Sequence, residues 1–383
     1  MRKRESVTTT TGELLERAQR RTNLSDFGPD GWQEGFEQCV AAIPVDIGDN
    51  DDQVRRVEEI VVERLVTRLR IESWYAAHGD EAEAHPVEGP LMILGTGRSG
   101  TTATHYLFAL DPQFRYLRKW EIADPVPPPQ LATERDDPRR PVDDVRGNAL
   151  HIATADGPTE DRKIHELSFR ESGNVLGLPS YVAWWRHADH TAKFPYHEHV
   201  LRLLHSHRPP YRWLLKSPED MISLVPLAEH YPDARFVMTH RDPVKVVPSA
   251  CSVIAEHTRM RLPDWELDAE EHGRATLQQF HESMARATEA RALIGEDRFL
   301  DVGQPELQDD AVGVAERVYD FAGLKFEDSI RDAMATWSEG NRAGSRGEHR
   351  YSSEEFGLTD DEIREVFADY LDRFGRYCFP GGE

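Results

Sequence analysis

The 383-residue sequence has few cysteines and no long apolar run. Its three cysteines, Cys39, Cys251 and Cys378, are far apart and lack paired metal-ligand spacing, which favours free thiols in a reducing compartment. No segment approaches the roughly 20 apolar residues of a membrane-spanning helix. The opening stretch MRKRESVTTTTGELLERAQRR lacks the apolar core of a secretory signal. We therefore expect a cytoplasmic protein without a membrane partner.

Basic side chains are also scarce. Lysine and arginine together number 46 against 69 aspartates and glutamates, a formal net charge of −23. Such acidity disfavours sequence-independent binding to nucleic acids and docking on anionic membranes. A polyanionic ligand would need positive charge concentrated at one site, and because lysine is rarer than arginine, each lysine is a candidate for that site.

Short apolar runs alternate with helical patterns along most of the chain. Residues 11–80 place apolar side chains at helical spacing. Four later segments are typical of buried strands, at 91–94, 212–218, 234–243 and 297–303. Helical patterns between them predict an α/β fold, in which a central parallel sheet is covered by helices on both faces. We expect an N-terminal helical appendage, residues 1–85, that packs on a core domain of residues 86–383.

A glycine-rich turn follows the first predicted strand and precedes a helix. It reads Gly95-Thr96-Gly97-Arg98-Ser99-Gly100-Thr101-Thr102. Glycines let backbone N–H groups approach phosphate oxygens, and the helix N-terminus adds the positive end of its dipole. The hydroxyl groups and the guanidinium add further donors. The turn therefore predicts a phosphate-binding loop, and a purely structural turn is the alternative.

This loop departs from the Walker A pattern. That pattern requires a lysine after the second glycine, and Thr101 stands there. The change argues against a magnesium-dependent ATPase or kinase.

Three further residues are predicted to reach the same crevice. The third strand ends at Arg241, and Ser249 lies eight residues later on the following helix. Because the carboxyl ends of parallel strands face one crevice, this pair could clamp a second phosphate beside the loop. Lys216 ends the neighbouring predicted strand and would enter the crevice as well.

These motifs resemble those of sulfotransferases that use the donor PAPS, 3′-phosphoadenosine 5′-phosphosulfate. The loop GTGRSGTT is similar to the family's 5′-phosphosulfate loop, and RDPVKVVPS is similar to its 3′-phosphate motif. The resemblance covers roughly residues 90–350. It implies a P-loop-NTPase-like three-layer sandwich that moves a sulfuryl group from PAPS to a hydroxyl of a small molecule and releases PAP. No metal is expected.

The resemblance assigns donor-binding residues one by one. Gly97, Arg98, Ser99, Gly100, Thr101 and Thr102 would hold the 5′-phosphosulfate. Arg241 and Ser249 would hold the 3′-phosphate. Arg346 and Gly347 are similar in position and composition to a basic loop that closes over that phosphate. The acceptor site is expected in an insertion at about 121–210, which is rich in loops and aromatic residues.

The catalytic base differs from that of the steroid and phenol enzymes. Those enzymes have Lys-Thr-His where this chain has Lys216-Ser217-Pro218, so their histidine is absent. Protein-tyrosine sulfotransferases have Lys-Asp-Pro here and use a glutamate soon after the phosphate loop. The matching segment, LDPQFRYLRKWEIADP, contains only Glu121. A glutamate can take the acceptor's proton if burial raises its pKa, while Lys216 would stabilise charge on the leaving group.

Other interpretations remain open. His165 is the rival base. The run of His197, His199, His205 and His207 has spacings that do not match a metal site such as HExxH. A nucleotide-dependent phosphotransferase and a non-catalytic nucleotide-binding protein of the same fold are the alternative functions.

Overall fold

A five-stranded parallel sheet forms the centre of the molecule. The computed structural model describes residues 9–141, 154, 156–172, 176–207, 211–263, 266–341 and 351–379. The strands are β1 Leu91–Leu94, β2 Phe114–Arg115, β3 Arg212–Lys216, β4 Arg235–His240 and β5 Phe299–Gly303. Their order in the sheet is β2-β3-β1-β4-β5. The predicted α/β fold and the four predicted strands are confirmed. The two-residue strand β2 was not predicted, because so short a run has no recognisable period.

Strand β1 occupies the position that organises the site. It pairs in parallel with β3 on one side, where Leu91 lies opposite Leu214. On the other side it pairs in parallel with β4, where Leu91 lies opposite Arg235. After β1 the chain forms β2 and β3 on one side of it and then crosses to β4 and β5 on the other side, which makes the carboxyl end of β1 a topological switch point. The glycine-rich loop begins there, between the ends of the strands that carry Lys216 and Arg241.

The helices before and around the first half of the sheet are α1 Thr11–Thr22, α2 Gln33–Asp46, α3 Asp51–Glu83, α4 Thr101–Phe108, α5 Lys119–Ala123, α6 Arg162–His165, α7 Pro179–Trp185 and α8 Lys193–His205. Those of the second half are α9 Leu224–His230, α10 Pro243–Arg261, α11 Ala269–Ile294, α12 Gln304–Asp309, α13 Ala311–Ala322, α14 Asp328–Gly340, α15 Asp360–Val366 and α16 Ala368–Cys378. Short 3₁₀ turns lie at Glu134–Asp136, Glu166–Ser168, Pro218–Ser223, Glu296–Arg298 and Glu354–Phe356.

Both faces of the sheet are buried. Along β1, Met92 and Leu94 pack into one apolar cluster, whereas Leu91 and Ile93 pack into another. Because side chains alternate along a strand, this division means that apolar cores cover both faces, as the predicted three-layer arrangement requires.

Three helices, α1 to α3, precede the first strand. They form an apolar cluster of their own with Phe169, which precedes α7, and with Tyr181, which lies in α7. The C-terminal part of α3, including Ile71 and Trp74, joins the cluster on the sheet. The division into domains at residue 85 remains a prediction.

Helices α13 and α11 differ in how well the local sequence accounts for them. Helix α13 ends at Gly323, which has φ +65° in the left-handed region that glycine adopts without steric cost. Helix α11 has 26 residues and was not predicted. Among the described residues, no helix combines the length and the apolar content that crossing a membrane requires.

Candidate active site

The loop after β1 adopts a backbone shape that few residue types permit. Gly95 has φ +131°, and a Cβ there would lie 2.5 Å from the Thr239 Oγ1 atom. Arg98 has φ +74° and Gly100 has φ +102°. Left-handed residues within a loop turn successive N–H groups towards one side, and α4 begins at Thr101 immediately afterwards. The predicted phosphate-binding geometry is therefore compatible with this backbone.

Ser99 fastens the loop to the sheet. Its hydroxyl is buried, donates to the Thr96 carbonyl at 2.7 Å and lies 2.7 Å from Thr239 Oγ1. Thr239 belongs to β4, so this contact ties the loop to the neighbouring strand. We therefore expect the Ser99 side chain to shape the loop rather than to contact a ligand directly.

The structure brings the two predicted donor motifs together. The Arg98 Nε atom donates to Ser249 Oγ at 3.0 Å, and the Arg241 Nη1 atom donates to the Arg98 carbonyl at 3.0 Å. Burial lowers the pKa of Arg98, and the neighbouring Arg241 cation contributes in the same direction. A bound polyanion would offset the repulsion between these two guanidinium groups.

A cavity of about 200 Å³ opens beside the loop. Its charged and hydroxyl-bearing lining includes Arg98, Thr101, Thr102, Glu160, Arg162 and Glu219. Side chains of α7, α10, α11 and the 3₁₀ turn after β3 supply the remaining walls, most of them apolar. The cavity therefore joins the phosphate loop to a partly apolar space that contains two carboxylates.

Lys216, at the end of β3, contacts two of the residues that line the cavity. Its Nζ atom lies 2.6 Å from Glu160 Oε1 and 3.5 Å from Thr102 Oγ1. The lysine side chain is 4% exposed, and that of Glu160 is 32% exposed. A carboxylate and an ammonium thus meet directly beside the N-terminus of α4.

Asp161 supports the Lys216–Glu160 pair through hydrogen bonds. Its Oδ1 atom accepts the Lys216 backbone N–H at 2.9 Å, and its Oδ2 atom lies 3.2 Å from His197 Nε2. The His197 Nδ1 atom lies 2.8 Å from the Tyr231 hydroxyl. Since Asp161 follows Glu160 in the chain, one buried side chain fixes the backbone on both sides of the Lys216–Glu160 contact.

This buried group includes residues whose sequence spacing did not indicate a metal site. Asp161, His165 and His197 place possible ligand atoms within 4.8 Å of one another. Both Asp161 oxygens and both His197 nitrogens have the hydrogen-bond partners just described, which supports a hydrogen-bonding role.

Glu219 is the second carboxylate of the cavity. It accepts from the Ser172 N–H at 3.0 Å and from the Ser172 hydroxyl at 2.5 Å, and the Arg162 Nε atom is 3.8 Å away. Burial raises the pKa of Glu219 well above its usual range, and the nearby Glu171 carboxylate adds to the rise. Glu219 therefore carries a proton to higher pH than an ordinary glutamate.

Glu121 occupies a different environment from the one predicted. It is fully buried, its Oε1 atom accepts from Arg115 at 2.7 Å, and Arg118 contacts both of its oxygens. The expectation that burial raises its pKa is wrong. Burial alone would do so, but the Arg115 and Arg118 guanidinium groups outweigh it and lower the pKa. Glu121 is not among the described residues that line the cavity.

His165, the rival base, is also buried. Its Nε2 atom lies 3.1 Å from Asp220 Oδ1, and its ring packs edge-on against Phe194. Burial, together with the Lys193 ammonium, lowers the pKa of His165 to about 4, so the ring is neutral at pH 7. Like Glu121, it is not part of the described cavity lining.

Arg346 and Gly347 lie outside the described residues, so their predicted role stays a prediction. Glu160 and Glu219 were missed by the sequence reasoning. Glu219 could have been found, because it follows the carboxyl end of β3 by three residues. Glu160 had no such signal. It is placed by tertiary contacts, including the hydrogen bond from Thr159 N–H to the Leu117 carbonyl at 2.8 Å.

The comparisons with known proteins agree with this geometry. The model of the sulfotransferase family matches residues 90–328. The fold superposes on the sulfotransferase STF9 of Mycobacterium avium with a TM-score of 0.85, 29% identity and 100% of both chains covered. For the sulfotransferase STF1 of Mycobacterium tuberculosis H37Rv, the TM-score is 0.80 and the identity 26%, with 94% of this chain and 99% of the other covered.

No curated protein matches the sequence significantly. The family match spans well over half of the chain and includes the glycine-rich loop, Lys216, Arg241 and Ser249. The two solved structures confirm the predicted P-loop-like architecture over nearly the whole length. The chain therefore belongs to the sulfotransferase family, whose chemistry is the transfer of a sulfuryl group.

Proposed function

We propose that this protein transfers a sulfuryl group from PAPS to a hydroxyl of a small-molecule acceptor. The family supports sulfuryl transfer, and the loop, Arg241 and Ser249 support a donor that carries two phosphate groups. The proposal includes a cytoplasmic enzyme that acts on neither nucleic acid nor membrane.

The donor would bind along the loop and across to β4. The loop N–H groups, Arg98, Thr101 and Thr102 would hold the 5′-phosphosulfate, since they lie at the N-terminus of α4. Arg241 and Ser249 would hold the 3′-phosphate. The contacts of Arg98 with both residues support a continuous anion site rather than two separate ones.

Glu160 is the proposed base in place of Glu121. The acceptor oxygen attacks sulfur, its O–H proton passes to Glu160, and the bond from sulfur to the bridging oxygen of the 5′-phosphate breaks. PAP leaves with the electron pair of that bond. The Lys216 ammonium has three donors, so it can hold Glu160 and still donate to the bridging oxygen as charge develops there.

One observation carries the proposal: the 2.6 Å contact between Lys216 and Glu160, which lines the cavity together with Thr102. It joins a cation suited to the leaving group with a partly exposed proton acceptor. Such a pair, next to a phosphate loop, suits in-line transfer to a hydroxyl, because it positions a proton acceptor and a cation beside the reacting groups.

The first test is calorimetric titration with PAP, beside ATP and Mg²⁺ in a parallel titration. We expect tight PAP binding without metal and little ATP binding, and Arg241→Ala should weaken PAP binding by about tenfold or more. A preference for magnesium-ATP would overturn the proposal in favour of a phosphotransferase. PAP binding without transfer from labelled PAPS to any hydroxyl acceptor would favour a non-catalytic protein.

A further inference from the structure

A second cavity, of about 310 Å³, adjoins the first. Ile254 of α10 and Gln279 of α11 line both cavities. The two spaces are therefore neighbouring chambers of one cleft. We call the cavity that Glu160 lines the inner chamber. The adjoining cavity lies between residues 177–186 and the helices α10 and α11, and we call it the outer chamber.

The outer chamber combines apolar walls with an acidic rim. Leu178, Val182 and Ile254 contribute aliphatic surface. Glu266, Asp268 and Glu271 add carboxylates that are exposed at its edge.

The cationic groups of the outer chamber do not balance this acidity. Arg186 lines the chamber, but its Nε and Nη2 atoms lie 3.0 and 2.5 Å from the two Glu282 oxygens. His272 also lines it, and burial lowers the pKa of this ring, which lies 2.9 Å from the Cys251 carbonyl. Arg259 is a further cation that acts on His272 but is not among the described lining residues, and at pH 7 those lining residues are together net negative.

We propose that the outer chamber binds the body of the acceptor, which is an elongated and mainly apolar phenol or alcohol whose far end is neutral or cationic. This inference rests on the proposed function, because it places the reacting hydroxyl at Glu160 in the inner chamber. The apolar body extends past Ile254 into the outer chamber. Its far end meets the acidic rim.

The physical argument has two parts. Apolar surface that leaves water contributes about 25 cal/mol per Å², so aliphatic walls favour an apolar body over a sugar, which needs many hydrogen-bond partners. A carboxylate or phosphate at the far end would face Asp268 and Glu271 across a short distance, which costs free energy, whereas an ammonium would gain it.

The length of the acceptor is tested by filling the outer chamber. Ala275 of α11 lines it and is exposed, so Ala275→Trp should narrow the chamber without disturbing the core. The neighbouring Arg274 is exposed and is not among the described lining residues, so Arg274→Trp is the matched control.

The probes are phenol and a phenol with a para octyl chain, assayed with labelled PAPS. Ala275→Trp should lower kcat/KM for octylphenol about tenfold or more, since several methylenes lose their site, and change that for phenol less than about twofold. Arg274→Trp should change neither. Equal effects on both phenols would overturn the two-chamber assignment.

The charge preference is tested by Glu271→Lys, with Glu270→Lys as its control. Both variants change the net charge equally, but the Glu270 side chain is 70% exposed, pairs with Arg274 and is not among the described lining residues. With octylphenols that end in ammonium or carboxylate, Glu271→Lys should reverse a preference of about tenfold for the ammonium. Glu270→Lys should leave the preference in place, and an unchanged preference in Glu271→Lys would overturn the rim assignment.

The failure of this inference differs from the failure of the proposed function. PAP binding should be the same in all four variants, because none of the changed residues contacts the loop, Arg241 or Ser249 in the described structure. A protein that binds PAP and sulfates sugars but none of the phenols would overturn the acceptor assignment alone. A protein that does not bind PAP would remove the basis of both.

Discussion

Two glutamates follow the phosphate loop, and both contact cations, yet their surroundings differ. Glu121 is fully buried between Arg115 and Arg118. Glu160 lines the inner chamber, contacts Lys216 and keeps 32% of its side chain exposed. The position of Glu121 in the sequence matches the base of the tyrosine enzymes approximately. Of the two, however, Glu160 is the one among the described residues that line the cavity.

Glu121 and Glu219 show that burial alone does not determine the basicity of a carboxylate. Burial raises the pKa of a carboxyl only when neighbouring cations do not compensate for lost hydration. At Glu219 the burial effect prevails and the pKa rises, whereas at Glu121 two guanidinium groups prevail and the pKa falls. A buried glutamate near an active site can therefore be either a proton carrier or a fixed structural anion.

The change with the largest expected effect is Glu160→Gln. Loss of a general base lowers turnover by about 10²–10⁴-fold. Donor binding should be retained, because the proposed phosphate contacts lie on the loop, Arg241 and Ser249. Steady-state kinetics with PAP titration measures both. Glu219→Gln is the matched control from the same cavity, and a larger loss of turnover there than in Glu160→Gln would move the base to Glu219.

Asp161→Ala should have the next largest effect. Without its carboxylate, the Lys216 backbone N–H loses its acceptor and the Lys216–Glu160 contact loses its support, so kcat should fall about tenfold to a hundredfold. Asp161→Asn keeps an acceptor and should restore most of kcat. A purely structural role would instead lower the melting temperature in both variants while the folded fraction kept its normal kcat and KM.

Glu121→Gln should affect stability more than activity. Removing one partner of a buried ion-pair cluster leaves two guanidinium groups undercompensated, which costs about 2 kcal/mol or more of unfolding free energy. Turnover per folded molecule should stay within about threefold of the original. Urea denaturation and active-site titration with PAP separate the two quantities. A hundredfold loss of turnover with unchanged stability would restore Glu121 as the base.

The smallest expected effect is the opposite pH dependence of these two buried glutamates. The lowered pKa of Glu121 contributes stability above the unfolded pKa of about 4, and this is lost as pH falls through the folded value. The raised pKa of Glu219 contributes stability below about pH 4, which is lost as pH rises through its folded value.

Urea denaturation of the protein and of each Gln variant at pH 5 and pH 8 measures this contrast. From pH 5 to pH 8, the protein should lose stability relative to Glu219→Gln, on the order of 1 kcal/mol. The difference in unfolding free energy between the protein and Glu121→Gln should stay constant over this range. Parallel pH profiles for both variants would contradict the assigned pKa directions.

The sequence by itself determined those features that a local pattern of residues can encode. Four buried strands, the glycine-rich loop and the stop of α13 at Gly323 each depend on a few adjacent residues. The resemblance of two motifs then supplied the family. The sequence also indicated that Lys216, Arg241 and the loop share a crevice, because parallel strands end at one edge of a sheet.

Only the tertiary structure decided which carboxylate faces that crevice. Glu160 lies 58 residues after Thr102, and its position depends on long-range hydrogen bonds at Thr159 and Asp161. The pKa of Glu121 depends on Arg115 and Arg118, whose guanidinium groups could have pointed to solvent instead. Electrostatic character is set by three-dimensional distances and burial, and a one-dimensional pattern contains neither.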